Sequence, residues 1–371
     1  MNGAVYLDHN ATAPVRPEAV EAVARTLSLV GNPSSVHTFG RAARRLVEEA
    51  RERVSALAGA QPEEVVFTGG GSEANNLALG GCGRRRILVS AVEHDSILNA
   101  DATLETVPVD CDGVIDLDAL DTLLARESTP ALVSVMLANN ETGTIQPVAG
   151  VVEVARRHDA LVHCDAVQAA GKTAFSFSGL GVDMLTLSAH KMGGLQGIGV
   201  LIVGTGVALE AQIRGGGQER GRRAGTESVL LIAGFGAAAM AVGTADNGKE
   251  GRRLARLRDG LEERLARLMP APLLLGRGAP RLPNTSCIAM PGVASEIQVM
   301  ALDLAGVAVS AGSACSSGKV RPSHVLRAMG LGQVEAGSAI RVSLGWTSTD
   351  ADVERFISAW AEIDKRLGGR A

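Results

Sequence analysis

The sequence predicts an α/β protein with a largely parallel main sheet and a second, smaller α+β domain. Its 371 residues suggest about two or three domains. A composition of 46% hydrophobic and 20% charged residues is ordinary for a globular protein and excludes intrinsic disorder and fibrous repeats. Between Val65 and Ile202, short apolar runs alternate with helical stretches, which is typical of a parallel sheet covered by helices.

The apolar runs are the predicted strands of this sheet. Several are apolar at successive positions, as expected for strands that are covered on both faces. Their bounds are Val65–Phe67, Arg86–Ser90, Leu132–Met136, Leu161–Cys164, Met184–Ser188 and Val200–Val203. Because ligands bind beyond the carboxyl ends of the strands in such sheets, the polar residues that follow these runs are candidate site residues.

The second half of the chain contains two further predicted helices. The apolar run Val229–Gly243 is shorter than the roughly 20 residues of a membrane span and contains glycines, so it predicts a buried helix. The polar stretch Thr244–Gly251 predicts a linker. Leucines at three- and four-residue spacing from Leu254 to Leu268 then predict an amphipathic helix. We expect a large domain of residues 15–250 and a small domain formed by residues 1–14 and 251–371.

Charge and cysteine content narrow the class of protein. The net charge of -4 indicates neither nucleic acid nor a membrane surface as a partner. The first ten residues lack the basic and apolar regions of a secretory signal. The five cysteines form no Cys-x-x-Cys pair, which argues against a zinc site or a disulfide framework, so we expect no metal. The sequence therefore predicts a cytoplasmic protein.

Lysine is scarce, and one lysine stands at a strand end. Only five of the 36 basic residues are lysines, so a lysine in an interior context suggests a need for a nucleophilic amine. Lys191 follows the Met184–Ser188 run in Ser188-Ala-His190-Lys191 and precedes two glycines within three residues. A desolvated lysine there would have a lowered pKa and could form a Schiff base. The alternative is a solvated loop charge.

A glycine-rich turn follows the first predicted strand. In Thr68-Gly-Gly-Gly71-Ser72, bare backbone amides and a hydroxyl come just before a helical pattern. Such amides at a helix N-terminus suit a phosphate group. A flexible strand-to-helix turn is the other interpretation.

Two more polar residues follow predicted strands. Asp165 could keep the ring nitrogen of a pyridine cofactor protonated, although an aspartate there could equally cap a helix. His94 could stack on a planar cofactor and transfer protons, or it could be a capping or surface histidine. Aromatic residues make up only 2% of the chain, so few other rings are available for stacking.

Cys315 lies in a run of small residues, Ser310-Ala-Gly-Ser-Ala-Cys315-Ser-Ser-Gly. Most lone cysteines are inert core residues, but a core cysteine is rarely surrounded by glycine and serine. The run predicts an exposed loop with a reactive thiol.

Taken together, motifs spread over nearly the whole chain resemble the cysteine desulfurases of the NifS/IscS type. They occur in the order of that family: Tyr6-Leu-Asp-His-Asn-Ala-Thr12, Gly31-Asn-Pro-Ser-Ser35 with His37, Asn139-Asn140-Glu141-Thr-Gly143, Ser188-Ala-His-Lys191, Gly215-Gly-Gly-Gln-Glu-Arg-Gly221 with Arg223-Ala-Gly-Thr226, and Ser313-Ala-Cys315-Ser. The resemblance implies fold type I of the enzymes that use pyridoxal 5'-phosphate, and a homodimer with active sites at the subunit interface.

The resemblance also implies roles for individual residues. Lys191 would carry the cofactor as a Schiff base, His94 would stack on its ring, Asp165 would bind the pyridine nitrogen and Gln168 the ring hydroxyl. Gly71, Ser72, Ser188 and His190 would hold the phosphate, with Thr226 contributed by the other subunit. Asn10, Asn140 and Arg341 would bind the substrate, and Arg suits its carboxylate because the guanidinium can bind bidentately. Cys315 would accept sulfur within the small domain.

The implied reaction converts L-cysteine to L-alanine and leaves a persulfide on Cys315. The sulfur would then pass to an acceptor protein, such as an iron–sulfur scaffold or a tRNA thiolation protein. One alternative is a lyase or aminotransferase of the same fold, which should not need a thiol at Cys315. The other is a non-catalytic scaffold for sulfur transfer, which would bind no coloured cofactor.

Overall fold

The structure is a computed structural model that describes residues 3–243, 248–268, 271–312 and 322–367. Its strands, in chain order, are β1 Val5–Tyr6, β2 Val65–Thr68, β3 Arg86–Ser90, β4 Glu105–Val107, β5 Ala131–Met136, β6 Leu161–Asp165, β7 Met184–Ser188, β8 Gly199–Val203, β9 Leu273–Leu275, β10 Thr285–Ala289, β11 Val307–Ala308, β12 Ser310–Ala311 and β13 Ala339–Ser343.

The α-helices, in chain order, are α1 Pro17–Thr26, α2 Thr38–Ala58, α3 Gly71–Gly81, α4 Asp95–Leu98, α5 Leu117–Ala125, α6 Val148–Arg157, α7 Phe177–Leu180, α8 Val229–Gly243, α9 Lys249–Leu265, α10 Ser295–Leu304, α11 His324–Ala328, α12 Gln333–Gly337 and α13 Asp350–Leu367. Short 3₁₀ turns cover Pro62–Glu64, Ala189–Lys191 and Gln218–Gly221.

The main sheet has the strand order β2-β8-β7-β6-β5-β3-β4. Every neighbouring pair is parallel except the two pairs that β8 forms with β2 and β7, so six strands run in one direction. All residues of β2, β3, β5, β7 and β8 are buried, as expected for strands covered by helices on both faces. The predicted α/β fold with a largely parallel sheet is thus confirmed.

The carboxyl ends of the parallel strands lie at one edge of this sheet, and the polar residues that follow them meet there. At the same edge, β2 leads through Gly69 and Gly70 into α3. Gly199 of β8 allows this close approach, because a Cβ at Gly199 would lie 2.6 Å from the carbonyl carbon of Gly70. The first turn of α3 therefore faces the strand ends.

The rest of the described chain adds two smaller sheets. Strands β12-β13-β10-β9 form an antiparallel sheet in that order, and β1 pairs in parallel with β11. Val5 and Leu7 share an apolar core with the buried leucines of α9 and with Phe356 and Trp360 of α13. This packing joins the first residues of the chain to its last helices, whereas the predicted boundary at residue 250 stays a prediction.

The predicted helices differ from the observed ones mainly at their ends. The run Val229–Gly243 forms α8, as predicted. The predicted linker is wrong over Lys249–Gly251, which belongs to the first turn of α9, while residues 244–247 lie outside the described part. Glu250 favours the early start because an acidic residue stabilises the first turn of a helix, and it also pairs with Arg253 one turn later. None of the helices in the described ranges is both long enough and apolar enough to cross a bilayer.

Candidate active site

A cavity of about 300 Å³ lies where the strand ends meet α3 and β13. It brings together eleven residues that the sequence predicts for the site: Asn10, Gly71, Ser72, His94, Asn140, Asp165, Gln168, Ser188, His190, Lys191 and Arg341. Two predicted residues are not among its described lining. Thr226 is exposed on this chain, and Cys315 lies outside the described residues. Gly312, three residues before Cys315 in the sequence, does line the cavity.

One end of the cavity is formed by the start of α3. Gly71 and Ser72 are its first two residues, whose backbone amides have no partners within the helix. Gly70, which precedes them, has φ = 154°, a conformation that favours glycine. This end of the cavity therefore offers backbone donors and the positive end of a helix dipole, which together suit an anion.

Ser188 and His190 lie beside this helix start. Ser188 ends β7, and His190 follows in the 3₁₀ turn. Burial, together with the charges of Lys191 and Lys172, lowers the pKa of His190 to about 4. The imidazole is therefore neutral at neutral pH. Its Nδ1 lies 3.2 Å from Oγ1 of Thr12.

Asp165 is the last residue of β6, and its carboxylate is held from two sides. Oδ2 accepts a hydrogen bond of 2.8 Å from Nδ2 of Asn75, and Oδ1 accepts one of 2.9 Å from the backbone of Val167. Asn75 also donates to Oγ of Ser96, and both residues line the cavity. The sequence analysis did not identify Asn75. Its position one turn after Gly71 on the same helix face was the available signal.

His94 caps a helix and also lines the cavity, while its stacking on a cofactor stays a prediction. It is the N-cap of α4, where Nδ1 accepts a hydrogen bond of 3.1 Å from the backbone of Ser96. The same ring also lines the cavity. Because Nδ1 accepts from a backbone N–H, the neutral ring carries its proton on Nε2. Burial lowers the pKa of His94, which favours this neutral form.

Lys191 directs its amine toward the N-terminal segment of the chain. Its Nζ donates to the backbone oxygens of Asn10 at 2.7 Å and Ala11 at 2.8 Å. The lysine sits at the end of the 3₁₀ turn that follows β7, so a rigid strand fixes its backbone. This arrangement presents a partly buried amine in the cavity, close to Asp165 and His94 along its lining.

The side chain of Asn10 is fully hydrogen-bonded to protein groups. Nδ2 donates to the backbone oxygen of Asn140 and to Oγ1 of Thr285, while Oδ1 accepts from Lys172 and Asn284. An asparagine side chain has two donors and two acceptor positions, and these four bonds occupy all of them. A substrate could therefore bond to this side chain only by displacing one of them.

Arg341 lies in β13 and is 4% exposed. Nη2 pairs with Oδ1 of Asp8 at 2.8 Å, and Nη1 donates to the backbone oxygen of Asn140 at 3.0 Å. Among the residues that the structure describes, its buried Nε has no hydrogen-bond partner. Since an unsatisfied buried donor is costly, this nitrogen gives the site a donor that an anionic ligand could use.

Glu141 is a further buried acid beside this arginine that the sequence analysis did not assign. It is 2% exposed, and it accepts a hydrogen bond of 2.5 Å from Oγ of Ser323. Burial raises its pKa to about 7, against the lowering effects of Ser323 and Arg341. It lies next to Gly312, because a Cβ there would be 2.8 Å from Oε2 of Glu141.

Four of the five cysteines lie within the described ranges. Cys82, Cys164 and Cys287 are buried, and burial raises the pKa of each thiol. Cys111 is exposed. Within the described ranges, no cysteine lines the cavity. Cys315, the predicted reactive cysteine, lies outside the described residues.

Comparisons with known proteins agree with this architecture. The family model for class-V aminotransferases matches residues 5–356. A cysteine desulfurase of Cereibacter sphaeroides is 43% identical over 378 residues, covering 98% of this chain and 96% of that protein. A solved NifS-like protein from Rickettsia africae has a TM-score of 0.90 at 36% identity, covering 98% and 99% of the two chains. A structure described as SspA in complex with cysteine has a TM-score of 0.79 at 29% identity, covering 92% and 98%. The chain therefore belongs to the class-V aminotransferase family and, within it, to the cysteine desulfurases.

Proposed function

We propose that this chain is a pyridoxal-phosphate-dependent cysteine desulfurase that converts L-cysteine to L-alanine and retains the sulfur as a persulfide on Cys315. The observation that carries the proposal is the meeting of Lys191, Asp165, His94 and Arg341 on one cavity. An amine, an acid, a planar ring and a guanidinium are the groups that this chemistry needs. The full-length relatives named cysteine desulfurase support the same activity.

The cavity residues fit pyridoxal phosphate. The start of α3, with Ser188 and His190 beside it, suits the phosphate group. Asp165 can still accept a hydrogen bond from a protonated pyridine nitrogen, because within the described residues each carboxylate oxygen accepts from one protein donor. Gly71 also leaves room, since a Cβ there would be only 3.1 Å from Val167. When bound, the cofactor supplies an electron sink for negative charge at the substrate Cα. Lys191 would hold it covalently, His94 would cover its ring and Gln168 would bind its ring hydroxyl.

Arg341 and Asn140 are proposed to bind the substrate carboxylate. A solved relative is described as a complex with cysteine, which supports this substrate class. The Nε of Arg341, which has no partner within the described part of the chain, offers the carboxylate a hydrogen-bond donor. The Asp8 carboxylate accepts a hydrogen bond from Nη2 and holds the guanidinium in a fixed orientation. Nη2 of the planar guanidinium is therefore already paired with a protein group.

The chain's own residues would then move one proton and one sulfur atom. Lys191 Nζ takes the proton from the substrate Cα once it is no longer bound to the cofactor, and it serves as a base only while it is uncharged. The Cys315 thiolate attacks the substrate sulfur, so an S–S bond forms while the substrate Cβ–S bond breaks. The electron pair of the broken bond remains with the carbon skeleton and is protonated, which yields alanine. The neutral His94 ring can carry a proton in this step because its Nε2 bears one.

Sulfur would finally leave Cys315 for an acceptor protein. We propose an iron–sulfur scaffold as the acceptor, with a tRNA thiolation protein as the alternative. Capture of the persulfide-bearing chain from cells, followed by mass spectrometry, distinguishes the two. Recovery of neither class of protein would contradict this part of the proposal.

The experiment that tests the activity measures alanine release from L-cysteine by the purified chain with added pyridoxal phosphate and a reductant. Wild type should release alanine and absorb light near the visible edge. Lys191→Ala should lose alanine release almost completely, by several orders of magnitude. Lys365→Met, on the exposed end of α13, should behave as wild type. A wild-type chain that stays colourless and releases no alanine would contradict the proposal.

A further inference from the structure

Lys172 is a buried amine that the proposed reaction does not use. Its Nζ donates to Oε1 of Gln168 at 2.7 Å and to Oδ1 of Asn10 at 3.0 Å. It does not line the main cavity, but it lines a second cavity of about 30 Å³ that Lys191 also borders. It therefore stands one layer behind the residues that would contact the cofactor.

The surroundings of Lys172 are unusual for a lysine. Within the described ranges, Nζ of Lys172 donates no hydrogen bond to a carboxylate. Burial lowers its pKa well below the usual value, and the nearby cations Lys191 and Arg341 add to this effect. A neutral amine has two N–H donors, which matches the two amide oxygens that it contacts. A buried lysine held only by side-chain amides can act by orienting them.

The Lys172 contact and the backbone oxygen of Asn10 together fix how the Gln168 amide is turned. Nζ of Lys172 donates to Oε1 of Gln168, and the backbone oxygen of Asn10 can accept only from the NH₂ group. Nε2 then donates to the backbone oxygen of Asn10 at 3.0 Å, and its second hydrogen remains for the cavity that Gln168 lines. The edge of Gln168 offered to a ligand is thus a hydrogen-bond donor.

The same lysine is linked to Lys191 through Asn10. The backbone oxygen of Asn10 accepts from both Gln168 and Lys191, while its side-chain oxygen accepts from Lys172. Asn10 thus contacts Lys172, Gln168 and Lys191. We propose that Lys172 is a positioning residue that fixes the donor edge of Gln168 toward the cofactor's ring oxygen, an inference that rests on the proposed function.

The test measures how tightly the cofactor-free chain binds pyridoxal phosphate, by absorbance titration. Lys172→Met removes the amine but keeps a linear side chain, and we expect affinity to fall about tenfold. Lys365→Met is the matched control and should bind as wild type. Gln168→Ala should also weaken binding, and adding Lys172→Met to it should change affinity less than about twofold, because residues that act through one contact are not additive.

A second readout does not depend on bound cofactor. Crystal structures of the cofactor-free wild type and Lys172→Met should show that the Gln168 amide moves or rotates in the variant. Thermal unfolding checks that the variants are folded, and Lys172→Ala gives the same comparison if the Met variant is not. The proposed shift is specific to Gln168, so a general loosening of the fold would not reproduce it.

Three results are decisive. Unchanged affinity and an unmoved Gln168 in Lys172→Met, with a wild type that binds, would overturn the inference alone. A full tenfold loss in the Gln168→Ala background would also overturn it, since Lys172 would then act elsewhere. A wild type that binds no pyridoxal phosphate would overturn the proposed function and the inference with it.

Discussion

Arg341 is held in place by Asp8 and by the backbone of Asn140, and one of its buried donors, Nε, has no partner in the ranges that the structure describes. A buried guanidinium paired on one side only is a costly arrangement unless a second anion completes it. The substrate carboxylate would be that anion. Binding at this position would thus depend on the planar fork and not on positive charge alone.

Replacement of Arg341 by lysine separates these two contributions. Arg341→Lys keeps the charge but loses the bidentate geometry, so we expect the KM for L-cysteine to rise about tenfold. Affinity for pyridoxal phosphate should stay near that of wild type, since Arg341 has no proposed contact with the cofactor. Arg355→Lys, an exposed arginine that contacts backbone oxygens of Gly3 and Ala305, is the control and should leave both constants unchanged. A normal KM in Arg341→Lys would contradict the assigned role.

The sequence identified residues that directly follow strands better than residues that support them. Lys191 and Asp165 stand at strand ends, where the fold class alone predicts a ligand site. Asn75, Lys172 and Glu141 were not identified, because their importance depends on contacts with distant segments. Lys172, for example, meets Asn10 across 162 positions of the chain. No local pattern encodes such a contact.

At the scale of elements, β6 carries a buried histidine beneath the site. His163 joins its two neighbouring strands, since Nδ1 lies 2.9 Å from Oγ of Ser134 in β5 and Nε2 lies 2.9 Å from Oγ1 of Thr186 in β7. Burial lowers the pKa of His163 to about 4. A neutral imidazole thus connects β5, β6 and β7. Asp165 lies in β6, and Lys191 follows β7.

This histidine makes stability depend on pH. Below pH 6.5 an unfolded histidine binds a proton, whereas folded His163 stays neutral until about pH 4, so the unfolded state binds more protons and stability falls as pH falls. This stability is fully present above pH 6.5, and about 3 kcal/mol of it is lost as the pH falls to 4. His163→Gln can keep hydrogen bonds but does not titrate there. Urea unfolding between these pH values should give a smaller pH slope for the variant; an identical slope would contradict the account.

Element boundaries followed from the sequence wherever burial was strong. The six predicted strands agree with the observed ones to within one residue, because strands covered on both faces are continuously apolar. The short edge strand β4 and the small antiparallel sheet were not identified individually. Their strands are two to five residues long, and tertiary pairing determines them more than local pattern.

At the scale of the whole molecule, the family and fold predictions are confirmed, and the chain has fold type I of the pyridoxal-phosphate enzymes. Its surface is uneven in apolar character. Half of the large exposed hydrophobic residues in the described ranges lie between residues 6 and 39, namely Tyr6, Val15, Val20, Leu27, Val30, Val36 and Phe39. The resemblance to the cysteine desulfurases implies a homodimer, and we propose that these apolar side chains lie against the second copy of the chain, which contributes Thr226 to this site.

Light scattering tests this assembly. Wild type should be a dimer, and Phe39→Asp should weaken dimerisation by at least about tenfold because a charge would be buried in the interface. Leu304→Asp, at an exposed position on α10, is the matched control and should leave the dimer intact. A monomeric wild type, or a Phe39→Asp variant as dimeric as wild type, would contradict the inferred interface.

The proposed reaction uses both the amine of Lys191 and the thiol of Cys315. Its most direct test is mass spectrometry of the chain after reaction with L-cysteine in the absence of reductant, with alanine counted in the same sample. We predict one added sulfur atom on the peptide that contains Cys315 for each alanine released, and neither product in Lys191→Ala. Alanine formed at the wild-type rate by Cys315→Ala in the presence of reductant, or sulfur found on Cys111 instead, would contradict the account.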